Sequence, residues 1–123
     1  MGKDQDRIDT GLYAKGPKCV TFTNTDTTYQ MKVADHNLRV VSGTGEDASG
    51  IVTLPSCGEA AGMFYFIIAP TGASGNDVSI YVKETATEYA GFNTDDGDLD
   101  ADGDYILLFS TGFEWKTVFN GVA

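Results

Sequence analysis

Six aspartates stand within ten residues in the segment 95–104, which reads DDGDLDADGD. Carboxylate oxygens at alternating positions are the ligands with which acidic loops bind Ca²⁺. From position 98 the chain follows the D-x-D-x-D-G opening of the EF-hand calcium loop. The twelfth position of that loop requires a bidentate glutamate, but here it is Phe109, inside an apolar run. The EF-hand interpretation therefore fails.

Two interpretations of the acidic segment stay open. A looser calcium loop on a β scaffold would take its ligands from Asp96, Asp98, Asp100 and Asp102. A solvated turn that ends before Tyr105 would only supply negative charge. We favour the solvated turn, because loops are polar by default and so acidic a chain clusters carboxylates by chance. We assign the chain no metal-binding residue and no cofactor.

Catalytic candidates are few. His36 is the only histidine, and no G-x-S-x-G turn or comparable motif presents a nucleophile for it to activate, so we interpret it as a surface loop residue. The segment GTGEDASG at 43–50 lacks the lysine of a phosphate-binding loop. A glycosidase pair of carboxylates could come from Glu59, Glu84, Glu88 and Glu114. Because sequence leaves their separations open, we predict no catalytic residues and no enzyme.

The formal net charge is −10 and is unevenly distributed. Residues 1–45 carry six basic and five acidic side chains, whereas residues 46–123 carry two basic and thirteen acidic ones. Binding to phosphate backbones or anionic lipid needs clustered Lys and Arg, so we expect neither nucleic acid nor a membrane as a partner. No secretory signal and no apolar run of about 20 residues is present, which predicts a soluble protein folded in a cytosol.

Cys19 and Cys57 are the only cysteines, and neither lies in a CxxC motif, so a zinc site is not supported. In a reducing compartment we expect two buried thiols rather than a disulfide, although their state stays open.

The elements that must position these residues are strands. Residues 1–18 show no period and predict an extended N-terminal arm, and residues 19–123 predict a single β domain. Alternating or apolar runs predict about eight short strands, at 19–23, 28–33, 38–41, 51–55, 63–69, 78–84, 105–110 and 114–119. Turn residues at 24–27 and 111–113 predict two hairpins, and SCGEAAG at 56–62 predicts one short helical turn.

This pattern predicts an all-β fold, a small β-sandwich or jelly-roll-like domain or a small barrel, whose strand order stays open. The segment 63–69 is apolar at every position, which predicts a strand covered on both faces or lying at a subunit contact. Trp115 and the six tyrosines could stack on sugars, although such residues more often lie in a core or an interface.

From Ile51 onward the chain resembles a module of tailed-bacteriophage structural proteins. The resemblance is carried by IVTLPSCGEAAGMFYFI, then NDVSIYV, then LDADGDYILLFSTGFEWKTV, which together cover a little over half of the chain. Such modules occur in head decoration (capsid cement) proteins and in capsid or tail fibre tips, usually as homotrimers.

The resemblance implies a homotrimeric decoration protein that binds the major capsid protein on the virion exterior and is made in the host cytoplasm. The apolar segment 63–69 and exposed aromatics such as Tyr81, Phe113 and Trp115 are then candidates for trimer or capsid contacts. From the charge distribution we hypothesise that the near-neutral first third of the chain meets the capsid while the acidic remainder faces solvent. The alternative is a receptor- or carbohydrate-binding fibre tip, which a cleft lined by Trp115 would favour. A small hydrolase is a third possibility.

Overall fold

A computed structural model describes residues 18–23, 27–42, 50–69, 78–91, 98–99 and 103–121. These residues form ten strands and, within the described ranges, no helix. The strands are β1 Lys18–Phe22, β2 Thr28–Gln30, β3 Asn37–Ser42, β4 Gly50–Thr53, β5 Phe64–Ala69, β6 Val78–Val82, β7 Thr87–Glu88, β8 Asp98–Leu99, β9 Asp104–Ser110 and β10 Trp115–Asn120.

The strands form two sheets of five. The front sheet has the order β1-β3-β5-β9-β10, and the back sheet has the order β2-β4-β6-β7, with β8 also paired to β6. β7 and β8 share one edge of β6, because β7 pairs with Tyr81 and Val82 while β8 pairs with Val78 and Ser79. The predicted all-β fold is confirmed as a small two-sheet β-sandwich, with ten strands among the described residues where about eight are predicted.

The first six strands alternate between the two sheets. β1, β3 and β5 lie side by side and parallel in the front sheet, and β2, β4 and β6 do the same in the back sheet. Antiparallel pairing begins only with β7 to β10. Each sheet is therefore mixed, and its parallel half is built from strands that are not consecutive in the chain.

The core lies between the two sheets and consists of the side chains that alternate with outward-facing ones along each strand. In β5, Tyr65, Ile67 and Ala69 are buried while the intervening residues are not, and in β9 Ile106 and Leu108 are fully buried. Successive strand side chains point to opposite faces, so one face of each strand supplies the core. The largest fully buried side chains include Tyr65, Phe22, Met31, Leu38, Leu54, Ile67, Ile80, Leu99, Ile106 and Leu108.

Two expectations about local structure are wrong or only partly right. The hairpin predicted around residues 24–27 does not form, because β1 pairs with β3 and β2 pairs with β4. At 56–62 the chain makes one α-type turn, in which the Ala60 amide donates to the Ser56 carbonyl at 3.0 Å, and ends at Gly62 with φ 81°. The predicted arm lies outside the described residues except for Lys18, which begins β1.

The predicted hairpin at 111–113 is confirmed as the connection between β9 and β10. Its register shifts between Thr117 and Phe119, so Val118 is an extra residue in β10. A bulge of this kind increases local twist and interrupts the pairing pattern of a strand at the edge of a sheet. β10 is such an edge strand, and the bulge leaves Val118 and Phe119 about half exposed.

Candidate binding surfaces

The outward side of the front sheet is apolar across three adjacent strands. Residues of β5, β9 and β10 that alternate with the buried ones point away from the core, and cross-strand register places them side by side. We call this surface the aromatic face: Phe64, Phe66, Ile68, Tyr105, Leu107, Phe109 and Phe119.

Its rings pack against one another rather than standing singly. Phe64 is directly opposite Phe109 with ring centroids 4.8 Å apart, and Phe66 lies 5.7 Å from Tyr105. Tyr105 meets the edge of Phe119 at 5.8 Å. Aromatic pairs at these spacings are mutually attractive, so the surface is held in place before any partner arrives.

A substantial part of the aromatic face contacts water. Phe64 is 46% exposed and Phe119 is 49% exposed, while the other members are partly covered by their neighbours. Single exposed apolar residues are ordinary, but a contiguous patch of them marks an interaction site on many proteins. Burying apolar surface contributes about 25 cal/mol per Å². Covering this patch would therefore be favourable.

The two outward faces of the sandwich also differ in charge. Among the described residues, the outward side of the front sheet carries Arg39 and Lys116, and Glu114 Oε1 lies 3.2 Å from Lys116 Nζ. The outward side of the back sheet is built from Thr, Ser, Gln, Ile and Tyr, and carries Asp98 and Glu88 along its β7/β8 edge. Among the described strand residues, the outward side of the front sheet is thus less acidic than the outward side of the back sheet.

A cleft of about 480 Å³ lies between two turns, the one that joins β6 to β7 and the one that joins β9 to β10. This volume falls within the roughly 300–1,000 Å³ of small-molecule sites. Its walls are formed by Cys57, Val82, Glu84, Thr85, Tyr89, Gly112, Phe113, Glu114 and Trp115.

Hydrogen bonds fix the floor and sides of the cleft. The Cys57 amide donates to Glu84 Oε2 at 2.6 Å, which orients that carboxylate. Ser110 Oγ donates to the Cys57 carbonyl at 2.7 Å and accepts from the Gly112 amide at 3.1 Å. Tyr89 donates to Thr117 Oγ1 at 2.8 Å, because the Thr117 proton is used on the Gly91 carbonyl.

Tyr81, Phe113 and Trp115 are predicted to be exposed contact residues, and for Trp115 this prediction is wrong. Trp115 is 6% exposed and packs edge-on against Tyr65 at 5.5 Å, because its position in β10 points inward opposite buried Ser110. Its enclosed Nε1 has no acceptor in the described part of the chain. Phe113 is 97% exposed, and Tyr81 lies half-buried on the outward back sheet.

The predicted roles of His36 and the cysteines are resolved by their surroundings. His36 lies in the turn before β3, as expected, but its ring is partly buried, stacked on Tyr65 at 4.7 Å with Nδ1 2.9 Å from the Phe64 carbonyl. Both thiols are free; Cys57 is buried as predicted, whereas Cys19 is exposed on edge strand β1. The prediction of a buried Cys19 is wrong, because its position points outward beside Arg39.

The four glutamates considered as a glycosidase pair are all exposed, and two of them, Glu84 and Glu114, line the same cleft. The strand pattern of the sequence does not show that Glu84 and Glu114 lie in one cleft, because the cleft forms where two turns meet in space. Sequence reasoning also missed Tyr89, which follows the two-residue strand β7 and forms part of the cleft wall.

Two of the six aspartates of the acidic segment lie within the described residues. Asp98 lies in β8 opposite Ser79, and Asp104 begins β9 with only 2% exposure, so these two aspartates belong to strands rather than to a solvated turn. Asp95, Asp96, Asp100 and Asp102 lie outside the described residues. No group of three or more His, Cys, Asp and Glu that could hold a metal ion occurs among the residues described.

Two tyrosines near Asp35 have altered acidity. Burial is the main cause that raises the pKa of Tyr29 to about 12, and its hydrogen bond to Asp35 Oδ2 at 2.6 Å adds to the effect. Burial also raises the pKa of Tyr65 to about 12, assisted by the charge of Asp35. Both hydroxyls are therefore protonated at neutral pH and can donate hydrogen bonds.

Comparison with family models, with curated proteins and with solved structures finds no match to this chain. The resemblance to phage modules therefore stays a prediction. No helix in the described ranges is long and apolar enough to cross a membrane. Fold and surface define the class of the protein: an all-β, two-sheet domain with an apolar outward sheet face and a small cleft at two turns.

Proposed function

We propose that this chain is a viral structural protein, a homotrimeric capsid decoration (cement) protein that binds the outer surface of a phage head and stabilises it. Its partners are further copies of itself and the major capsid protein, and its location is the capsid exterior. The observation that carries the proposal is the aromatic face, seven packed apolar side chains on one outward sheet surface of an acidic protein.

The action of such a protein is adhesive. Apolar surface that is buried only in the assembled state stabilises that state, because any partner that binds one state shifts the equilibrium towards it. The aromatic rings supply buried area, and Arg39 at the border of the face can pair with a carboxylate of a neighbour. The negative charge on the rest of the chain opposes non-specific association and keeps the free protein in solution.

Addition to empty shells tests this function. Purified protein should bind empty heads of the phage that encodes it and raise the temperature at which they open, as followed by sedimentation and by calorimetry of the shells. Phe119→Asp places a charge on the aromatic face and should abolish both effects. Phe113→Asp is the matched control, because Phe113 is more exposed but lies at a turn outside that face.

Shells that neither bind the protein nor gain stability would contradict the proposal. Equal loss of binding by both variants would show that the aromatic face is not the contact.

The cleft favours a second candidate function, a receptor- or carbohydrate-binding fibre-tip domain. Trp115, Tyr89 and Phe113 are among its lining residues, and aromatic side chains in a concave site are suited to the C–H faces of sugar rings. A glycan array separates the two candidates. The decoration function predicts shell binding that is unchanged by saturating glycan, whereas the fibre-tip function predicts glycan binding without affinity for shells.

A further inference from the structure

The cleft has a feature that adhesion through the aromatic face does not use. All nine lining residues belong to the described ranges, and they include two carboxylates but no Lys, Arg or His. The walls therefore carry two negative charges, and the only cation recorded next to them among the described residues is Lys116, which lies outside the lining and 3.2 Å from Glu114 Oε1. An anionic ligand would be repelled there, and a cationic one attracted.

The two carboxylates are suited to ligand contact. Glu84 is anchored through Oε2 by the Cys57 amide at 2.6 Å, so its carboxylate is held in position beside the cleft. Glu114 pairs with Lys116 at 3.2 Å, but both side chains are 61% exposed. Solvent-exposed pairs of this kind contribute little free energy, so the Glu114 carboxylate can exchange partners.

The aromatic walls favour the same kind of ligand. Phe113 is 97% exposed at the tip of its turn, and Tyr89 and Trp115 lie deeper in the cleft. A ring face attracts an ammonium group, and the attraction adds to that of nearby carboxylates. Rings also pack on the apolar C–H face of a pyranose, which leaves its polar groups for the glutamates.

We propose that the cleft binds an amino sugar, with the ammonium group at Glu84 and Glu114 and the sugar ring against Phe113. This inference rests on the second candidate function and names its ligand class: glycans with free, protonated amines rather than neutral or acidic ones. The volume of about 480 Å³ suits a small saccharide rather than a folded partner.

Calorimetric titration of the full chain with three saccharide sets tests the inference: glucosamine oligomers, the N-acetylglucosamine oligomers of equal length, and glucuronate-containing oligomers. We expect binding to the first set, at least about tenfold weaker binding to the second, and none to the third. Affinity for glucosamine oligomers should fall as salt rises, because part of the attraction is between charges.

Glu84→Gln keeps an acceptor for the Cys57 amide and removes the charge, and Glu114→Gln removes the charge of an exposed side chain. Each should weaken binding of glucosamine oligomers about tenfold or more. Glu88→Gln is the control, because this glutamate lies on the back sheet outside the cleft. It should leave the affinity unchanged, apart from the small effect of net charge.

The outcomes distinguish a failure of the amino-sugar inference from a failure of the carbohydrate-binding function on which it rests. If the N-acetylated oligomers bind as tightly, carbohydrate binding stands and the amine specificity is wrong. If no saccharide binds, both fall. If Glu88→Gln weakens binding as much as the cleft variants do, the attraction is non-specific and the cleft site is overturned.

Discussion

Tyr65 connects three parts of the molecule through one side chain. Its hydroxyl donates to the Val33 carbonyl at 2.6 Å, one ring face stacks on His36, and Trp115 meets it edge-on. The side chain is fully buried. A buried phenol that is satisfied as a donor is difficult to ionise, since its anion would lose both hydration and that hydrogen bond.

Alkaline titration tests this environment. Tyr29 and Tyr65 should ionise near pH 12, about two units above the ordinary value of 10.0. Because the folded-state pKa is raised, their contribution to stability is complete below pH 10 and is lost as the pH rises towards 12. Absorbance at 295 nm should show a late phase of tyrosine ionisation that accompanies unfolding.

Asp35→Asn should lower the pKa of both tyrosines part of the way, because burial remains the larger cause. The Tyr29→Phe variant should retain a smaller late phase due to Tyr65. A single ionisation step near pH 10 for all tyrosines of the folded protein would contradict the assigned environments.

Gly62 provides a residue-scale test of backbone conformation. It has φ 81°, and a Cβ at this position would meet no atom within 4 Å, so Gly62→Ala isolates the cost of the left-handed backbone. We expect a loss of about 1 kcal/mol in the free energy of unfolding. Gly58→Ala is the control in the same turn, since Gly58 has equal space and no positive φ.

Gly58→Ala should be neutral or slightly stabilising, because alanine restricts the unfolded chain. Urea unfolding of the three proteins measures both values. Equal stability of the two variants would refute the interpretation of Gly62.

At the scale of elements, a buried hydroxyl joins the β9–β10 hairpin to the 56–62 turn, beside a backbone bond from the Gly62 amide to the Ser110 carbonyl at 2.8 Å. Ser110 is 0% exposed, and its Oγ both donates to the Cys57 carbonyl and accepts from the Gly112 amide. Ser110→Ala leaves a buried carbonyl without this donor, so we expect unfolding to become easier by about 1–3 kcal/mol.

Thr111→Ala is the matched change one residue later. Its Oγ1 bonds the amides of Phe113 and Glu114, but these groups are exposed, so water can replace it. We expect a loss under about 1 kcal/mol, measured by the same chemical denaturation. A larger loss for Thr111→Ala than for Ser110→Ala would contradict the structural role of Ser110.

Strands with clear alternation could be predicted from the sequence. The segment at 78–84 contains β6, because apolar side chains recur there at every second position, and the short apolar run at 105–110 contains most of β9. β7 and β8 have two residues each, too few for a period, and both are visible only through their pairing with β6. The prediction of a hairpin at 24–27 is wrong, because turn residues do not reveal in which sheet the next strand lies.

At the candidate surfaces, too, local sequence patterns predict some features, while others depend on how distant segments pair. The apolar run at 63–69 predicts a strand covered on both faces or lying at a subunit contact, and in the described chain one face of β5 stays partly exposed. Only the register with β9 shows that Phe64 and Phe109 form one patch. Trp115 could not be placed, because a one-residue difference in strand register decides between core and surface. The cleft depends on two turns from distant parts of the sequence, and no local pattern encodes it.

At the scale of the molecule, the two outward faces have different chemistry. The front sheet presents the aromatic face with basic residues beside it, and the back sheet presents a polar surface with carboxylates at one edge. None of the residues that line the cleft belongs to the aromatic face. Adhesion and ligand binding can therefore be altered separately by substitution.

The molar mass of the purified chain in solution tests the central claim most directly. Light scattering over a range of micromolar concentrations should give three times the 13.1 kDa chain mass. Phe119→Asp should reduce the mass to one chain with its strand content retained by circular dichroism, while Phe113→Asp should leave the trimer intact. A wild-type protein that stays at 13.1 kDa, or a Phe119→Asp variant that remains trimeric, would contradict trimer formation through the aromatic face.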